Sequence, residues 1–310
     1  MKVLITGGLG HIGSYLIENF KNIKKVKTIY IIDNFSTNRF SSLFNLPKTK
    51  KKVYFINIDL SKKNSLKKFK KVDVVINLAS ITDAEKSFKI KREIFKNNLG
   101  IFTNVIKYCK ENSSKLIHIS STSVYGEQKG IVNENCNKLK PKSPYAEIKV
   151  KEERILMKNK SKIKYITFRF GTISGVSKGM RFHTAINKFC LYSFLKKPLP
   201  VWNGMMNKPR PYLSLKDAFK VIKFTLENNF FKNEIFNILS ENLTLRKVIS
   251  LFKKYDKNIK IKQTDSKLLN QYSYHISNSK FNNEGIKLKS KIENDIKNTL
   301  KIFGKINYDM

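Results

Sequence analysis

Arginine, cysteine and long apolar runs are what this chain has little of. Only seven of its 62 basic residues are Arg, and against 23 acids the formal net charge is +39. Surfaces that read bases or fork onto phosphates lean on the guanidinium. Here the excess is Lys, spread along the chain, which reads as a compositional bias rather than a designed patch. Specific nucleic-acid binding is therefore not expected, whereas weak, salt-sensitive attraction to polyanions is. Such a field would also draw in a dianionic substrate. The three cysteines, Cys109, Cys136 and Cys190, are widely spaced. They suit a reducing compartment and exclude a disulfide framework, and no metal-ligand spacing is present, so no metal is expected. No apolar stretch approaches the ~20 residues a membrane span needs. The apolar start is a few residues long and runs into glycines, and the end at Met310 carries no targeting signal, so a cytoplasmic protein without a leader is expected. There is no internal repeat and no long linker, and 310 residues suffice for one large domain or two closely joined ones.

The most informative stretch is the first fourteen residues, MKVLITGGLGHIGS. Lys2 to Thr6 reads as a buried parallel strand and His11 to Lys21 as an amphipathic helix. Between and just beyond lie Gly7, Gly8, Gly10 and Gly13. Gly7 permits a sharp turn, Gly10 leaves room for a pyrophosphate to reach backbone, and Gly13 lets helix and strand approach closely. The helix start offers unpaired N–H groups and a positive dipole end to an anion. A second apolar run, Thr28 to Ile32, ends in Asp33. An acid there accepts hydrogen bonds from a ribose and repels a 2′-phosphate, so NAD is expected rather than NADP.

Further strands are expected at Val53 to Ile58, Val74 to Leu78 and Leu116 to Ile119, with helices at Ser61 to Lys71 and Lys86 to Glu111, the latter carrying Asn97 and Asn98. Asp59 can meet an adenine amino group or cap the helix that follows it. Ala79 and Ser80 leave space at a strand's carboxyl end. SPYAEIKVKEERIL, from Ser143, reads as a helix with Pro144 near its start. It places Tyr145 and Lys149 one turn apart on one face. A Lys beside a Tyr favours the phenolate, and the pair can transfer a proton; a partly buried Tyr beside a solvated Lys is the alternative. Later helices are expected at Ser214 to Asn228, Thr244 to Tyr255 and Ile292 to Phe303, and strands at Glu234 to Leu239 and Ile259 to Gln263. Alternating strands and helices predict an α/β fold: a Rossmann-type doubly wound parallel sheet with a smaller C-terminal lobe. The sheet domain spans about 1–174, segments near 214–240 return to it, and 175–310 is mainly the lobe. Residues 175–211 show few regular signals, as binding loops often do. Trp202 reads as a core anchor before a stacking surface.

The motifs TGGLGHIGS, IIDNFST, NLAS, SSTSVYG, SPYAEIK and FRFGTISG, in this order, resemble the extended short-chain dehydrogenase/reductase superfamily, in particular its NAD-dependent nucleotide-sugar epimerases and dehydratases. The resemblance covers roughly the first 175 residues and continues more loosely through MRF and KPRPYLSLKDA. It implies that Gly7, Gly10, His11, Ile12, Gly13, Asp33, Asn34, Ser36, Asp59, Leu60, Ala79, Ser80 and Asn98 bind NAD. It implies Tyr145 as acid/base, Lys149 on the nicotinamide ribose, and Ser121, with Ser120 as the adjacent alternative, on the reacting sugar oxygen. Arg210 would meet the diphosphate of a nucleotide-diphosphate sugar, with Arg181 and Thr172 nearby. A homodimer is implied by the resemblance alone.

Departures from the family narrow the reaction. Thr122 and Ser123 stand where 4,6-dehydratases place an Asp-Glu pair, and decarboxylating relatives keep a Glu at the second position. Dehydration and decarboxylation are thus disfavoured and a 4-epimerase is expected. Thr172 replaces the Asn of many epimerases. The alternatives are a nucleotide-sugar reductase or dehydrogenase, which needs net cofactor turnover, and a non-catalytic NAD-binding scaffold, against which the retention of Ser121, Tyr145 and Lys149 together argues.

Overall fold

The computed structural model describes residues 1–83, 86–264 and 274–304; the reading of the end at Met310 lies outside them. The first half follows the expected alternation. β1 (Lys2–Thr6) leads through the glycine turn into α1 (His11–Asn19), and β2 (Thr28–Asp33) ends on the predicted acid. A short α2 (Phe40–Phe44) precedes β3 (Lys52–Asn57) and β4 (Val74–Asn77). The long α3 (Lys91–Asn112) begins after a 3-10 turn at Lys86–Phe88, five residues later than the sequence suggests. β5 (Lys115–Ser121) runs into a 3-10 turn, Thr122–Tyr125, then the two-residue β6 (Ile131–Val132). α4 (Pro144–Lys158) starts as its sequence dictates: Ser143 Oγ accepts from the Ala146 N–H at 3.2 Å and Pro144 occupies the first turn.

The second half is more broken. β7 (Tyr165–Phe170), β8 (Thr172–Ser174), α5 (Ala185–Phe194), β9 (Leu199–Trp202) and β10 (Pro209–Ser214) precede α6 (Leu215–Glu227). Then follow β11 (Ile235–Ile238), β12 (Glu241–Thr244), α7 (Leu245–Lys253), β13 (Ile261–Thr264), β14 (His275–Ile276), α8 (Ser279–Asn282) and α9 (Ile292–Phe303).

Seven strands form one sheet in the order β11-β7-β5-β4-β1-β2-β3, every neighbouring pair parallel. β1 lies between β2 and β4, so the chain reverses direction of winding there and opens a crevice at the strands' carboxyl ends. One face of the sheet is covered by α1 and α6 over Val3, Ile5, Ile31 and Phe168; the other is covered by α3 over Leu4, Val75 and Leu116. Strands buried on both faces explain the unbroken apolar runs. The lobe has its own core, built from α5, α7 and α9 around Phe189, Val248 and Ile296. β11 enters the main sheet although it follows lobe segments, and α6 packs against α1.

One expected element is absent. Residues 61–71 form successive tight turns rather than a helix: Ser65 N donates to Lys62 O, Lys67 N to Asn64 O and Phe69 N to Leu66 O. Asn64 has a φ of +59°, which interrupts any right-handed run. The Asn104 amide on α3 binds the Leu60 and Lys62 carbonyls at 2.8 Å each, competing with helical hydrogen bonds. Asp59 therefore caps a turn, not a helix, accepting from Ser61 N at 2.9 Å and Ser61 Oγ at 2.7 Å. In the opposite direction, the stretch read as irregular at 175–211 contains a ten-residue helix, α5, the strand β9 and the first half of β10. No helix among the described residues is long and apolar enough to cross a membrane.

Candidate active site

The glycine turn is built without slack. Gly7 has a φ of +64°, and a Cβ there would lie 2.8 Å from both Ala79 Cα and Ala79 N. A Cβ on Gly13 would lie 2.6 Å from Gly8 Cα, so Gly13 serves close packing of the helix on the turn itself. At Gly10 a Cβ would meet only the Gly7 carbonyl, at 3.2 Å, so one side of this residue is open. No side chain caps α1. The first-turn N–H groups of His11, Ile12 and Gly13 are thus presented to an anion beside an open glycine, and a pyrophosphate fits this cradle.

Asp33, half-buried at the end of β2, does two things at once. Its Oδ2 accepts from Leu9 N at 3.1 Å and its Oδ1 from Phe35 N at 3.0 Å, tying the acid to the glycine turn. Burial pushes its carboxyl above the ordinary value, while these N–H groups and Arg39 pull the other way. Asn34 is turned to its own loop, accepting from Ser36 N at 3.1 Å, and lies close enough to bond Asp59. At β4, Thr6 Oγ1 accepts from the Leu78 and Ala79 N–H groups at 3.1 and 3.2 Å, which fixes the small residues at that strand's end. Ser80 Oγ donates to Ile81 O. Asn98 is buried on α3, and its amide clamps Ile81, accepting from its N–H at 2.8 Å and donating to its carbonyl at 3.0 Å. Its side chain therefore shapes the loop after β4.

A strap of backbone from 175 to 180 crosses the glycine turn, and sequence reasoning gave no sign of it. His11 Nε2 contacts Gly175 O at 2.7 Å, Ser177 Oγ donates to His11 O at 2.8 Å, and Gly179 N donates to Ser14 Oγ at 2.9 Å. Arg39 donates to Gly179 O and, at 2.6 Å, to Met180 O. A Cβ on Gly179 would lie 2.1 Å from Leu9 O, so only glycine fits. His11 is buried, and burial, helped by the charge of Arg181, pushes its pKa down to about 3, so the ring is neutral.

On the other side of the crevice stand Tyr145 and Lys149. Lys149 Nζ is 5.8 Å from the centroid of the Tyr145 ring. α4 packs against β5 and its 3-10 turn, where Ser121 Oγ accepts from Ser123 N at 3.2 Å and Ser123 Oγ at 2.9 Å. Thr122 Oγ1 donates to Phe170 O at 3.3 Å. Arg181 follows the strap: its Nη1 donates to Thr82 Oγ1, and the Tyr145 hydroxyl is among the groups that attract it. Burial lowers the Arg181 pKa, and its Nε has no hydrogen-bond partner among the described residues. Thr172 starts β8, opposite Tyr212 of β10. Arg210 on β10 holds its guanidinium 5.9 Å from the Trp202 ring, which itself packs on the lobe core.

Behind this face lies a buried charge network that was not read from the sequence. Lys149 Nζ is 2.8 Å from Glu152, and Glu152 is 3.4 Å from His118. Glu153 accepts from Ser120 Oγ at 2.6 Å and from Arg169 at 2.9 and 2.7 Å. Ser120 is thereby committed to Glu153, whereas Ser121 faces away from that pair's hydrogen bonds. Two acids side by side in a helix facing the sheet were the available signal. No group of three or more metal-ligating side chains occurs among the described residues.

The family model of the NAD dependent epimerase/dehydratase family matches residues 3–238. YtcB of Bacillus subtilis strain 168, described as an uncharacterized UDP-glucose epimerase, is 31% identical over 261 residues, 81% of each chain. Among solved structures, a UDP-glucuronic acid 4-epimerase variant from Bacillus cereus, in complex with UDP-4-deoxy-4-fluoro-glucuronic acid and NAD, superposes with a TM-score of 0.89. It is 23% identical and covers 98% of this chain and 99% of its own. DesIV, the dTDP-glucose 4,6-dehydratase of Streptomyces venezuelae, with NAD and TYD bound, has a TM-score of 0.88 at 18% identity, covering 98% of this chain and 97% of its own. These two establish the fold. With the glycine cradle, the strand-end acid and a family model matched over most of its length, the chain belongs to the NAD dependent epimerase/dehydratase family, with NAD as its cofactor.

Proposed function

We propose that this protein is a nucleotide-diphosphate-sugar 4-epimerase. The observation that carries the reading is the turn after β5. It offers only hydroxyls, with Thr122 bonded to Phe170 O and Ser123 to Ser121. The two acids of α4 behind it, Glu152 and Glu153, are held by Lys149 and Arg169. A dehydratase needs an acid to protonate the departing hydroxyl, and this turn supplies none. The similarity to YtcB supports the same reading.

NAD supplies the acceptor and donor of hydride. Gly7, Gly10, Gly13 and the α1 N-terminus hold its pyrophosphate, and Asp33 its adenosine ribose. Tyr145 takes the proton of the sugar hydroxyl and later returns it. Lys149 favours the phenolate. Ser121 already accepts two hydrogen bonds from Ser123, so its own hydrogen is directed to the sugar oxygen. Arg210 grips the diphosphate, because its fork can pair two phosphate oxygens at once, and Arg181 binds nearer Tyr145. The Ser177, Gly179 and Arg39 contacts across the glycine turn keep the cofactor in place between turnovers, as an epimerase requires.

Proton NMR of nucleotide sugars incubated with the protein and NAD tests this. The expected product is inverted at C4, with no NADH accumulating. A 4-keto-6-deoxy product would make it a dehydratase, and net NADH consumption a reductase. A second measurement concerns the cofactor. Asp33→Ala is expected to weaken NAD binding by ~10-fold or more, the worth of hydrogen bonds to a charged acceptor, and to narrow the preference for NAD over NADP. An unchanged preference by isothermal titration would remove Asp33 from the ribose.

A further inference from the structure

Glu152 is 2% exposed and sits in mid-helix, on the face of α4 that packs on the sheet. A carboxylate so placed needs partners. One is Lys149, 2.8 Å away and one turn earlier. The other is His118 on β5, 0% exposed, whose Nε2 lies 3.4 Å from the same oxygen and whose ring packs at 4.8 Å on Phe102. Burial, against the charge of Glu152, lowers the His118 pKa, so its ring is neutral. Burial pulls the Lys149 pKa down, Glu152, Tyr145 and Glu153 together pull it up, and the net direction is up. Burial pulls the Glu152 pKa up, but Lys149 and His118 together outweigh it and the net direction is down. The cluster is a compensated ion pair, with Lys149 facing Tyr145 on one side and Glu152 on the other.

We propose that Glu152 is a positioning residue for this site: it holds Lys149 in place and, by compensating its charge, tempers the pull of that charge on the Tyr145 proton. The inference rests on the reading of Tyr145 as acid/base. The remaining charges around the pair are fixed. Glu153 on α4 is locked to Arg169 of β7 at 2.7 Å. Arg181, from the segment after β8, is attracted by both Tyr145 and Asp83. The sign of the effect follows from the charge alone. Tyr145 and Lys149 are coupled, so the first proton the pair loses belongs to both. Removing a neighbouring negative charge makes either group release its proton more readily. The first deprotonation therefore moves to lower pH, and the phenolate absorbance reports whether Tyr145 carries it.

The test is the near-ultraviolet phenolate titration of the NAD-loaded protein, each variant read as a difference against its own Tyr145→Phe counterpart, together with the pH profile of kcat. Glu152→Gln is expected to move the phenolate transition and the acidic limb of kcat down by about half a pH unit or more. Glu152→Met, of similar size and uncharged, carries the same expectation if the Gln variant does not fold. Glu152→Asp restores the charge and is expected to return the limb toward the wild-type position. His118→Leu disturbs packing on the same carboxylate without changing charge, and is expected to leave the limb in place. An unmoved transition in a folded Glu152→Gln or Glu152→Met variant overturns the proposal. So does an equal shift in His118→Leu, which would assign the effect to loosened packing. Turnover retained in Tyr145→Phe would instead strike down the reading of Tyr145 and not the role of Glu152 toward Lys149.

Discussion

Turnover is expected to fall by ~10²–10⁴-fold when Tyr145 is replaced by Phe, the usual worth of a positioned acid/base, while NAD remains bound. The substitution removes one oxygen and keeps the ring that lies 5.8 Å from Lys149 Nζ. The cofactor cradle stands on other elements: Gly7 to Gly13 between β1 and α1, Asp33 on β2, and the loop after β4 held by Thr6 and Asn98. None of these touches the Tyr145 hydroxyl through a hydrogen bond in the structure, so binding and chemistry should separate. Single-turnover rates and the NAD content of the purified variant measure the two halves. Near-normal turnover would show that another group, Ser121 or a water, moves the proton. Loss of NAD would show that the crevice is more tightly coupled than its hydrogen bonds suggest.

What the sequence makes legible follows from the distances over which its signals act. β1, β2 and β4 are buried on both faces, and each is a short apolar run closed by a polar residue, Thr6, Asp33 and Asn77. Such runs need no partner to be recognised. Gly7, Gly13, Asp33, Tyr145 and Lys149 are equally local, since each lies within one turn of the feature that explains it. The 61–71 segment misleads for a non-local reason: its helical pattern is defeated by Asn64 and by Asn104, some forty residues on. α5 and its neighbouring strands are hidden because β9 is only four residues long and β10 begins just before the end of the stretch. Of the charge network only the adjacent acids Glu152 and Glu153 are a local signal, and their partners across the sheet are not. Arg169 finds Glu153 sixteen residues away and Tyr125 finds Asn237 across 112, separations at which no period or spacing operates. The strap from Gly175 to Met180 is a matter of tertiary placement: Leu9 O requires the glycine at Gly179, a contact no local pattern announces.

That network also yields the largest expected stability effect. Arg169 and Glu153 are 4% and 3% exposed, and two parallel hydrogen bonds of 2.9 and 2.7 Å join them. Arg169 Nη1 continues to Tyr125 OH at 2.8 Å, and that hydroxyl lies 2.9 Å from Asn237 Oδ1. The pair thus bolts α4 to β7 and, through Asn237, to the edge strand β11. Replacing Arg169 by Met leaves the Glu153 carboxylate buried with Ser120 as its one remaining hydrogen-bond partner among the described residues. Breaking a buried pair in this way costs about 3–5 kcal/mol. For a chain of this size that corresponds to a fall in Tm of roughly 5–8 °C. Glu153→Met alone strands the guanidinium instead and should cost a similar amount. The double variant, Glu153→Met with Arg169→Met, removes both charges and keeps most of the volume. It should recover much of the loss, because the penalty of each single change is an unpaired charge rather than a missing attraction. A double-mutant cycle by thermal or urea unfolding reads the coupling directly. Simple additivity of the two losses would mean that the pair is hydrated in solution, and that α4 is held to the sheet by its apolar contacts alone.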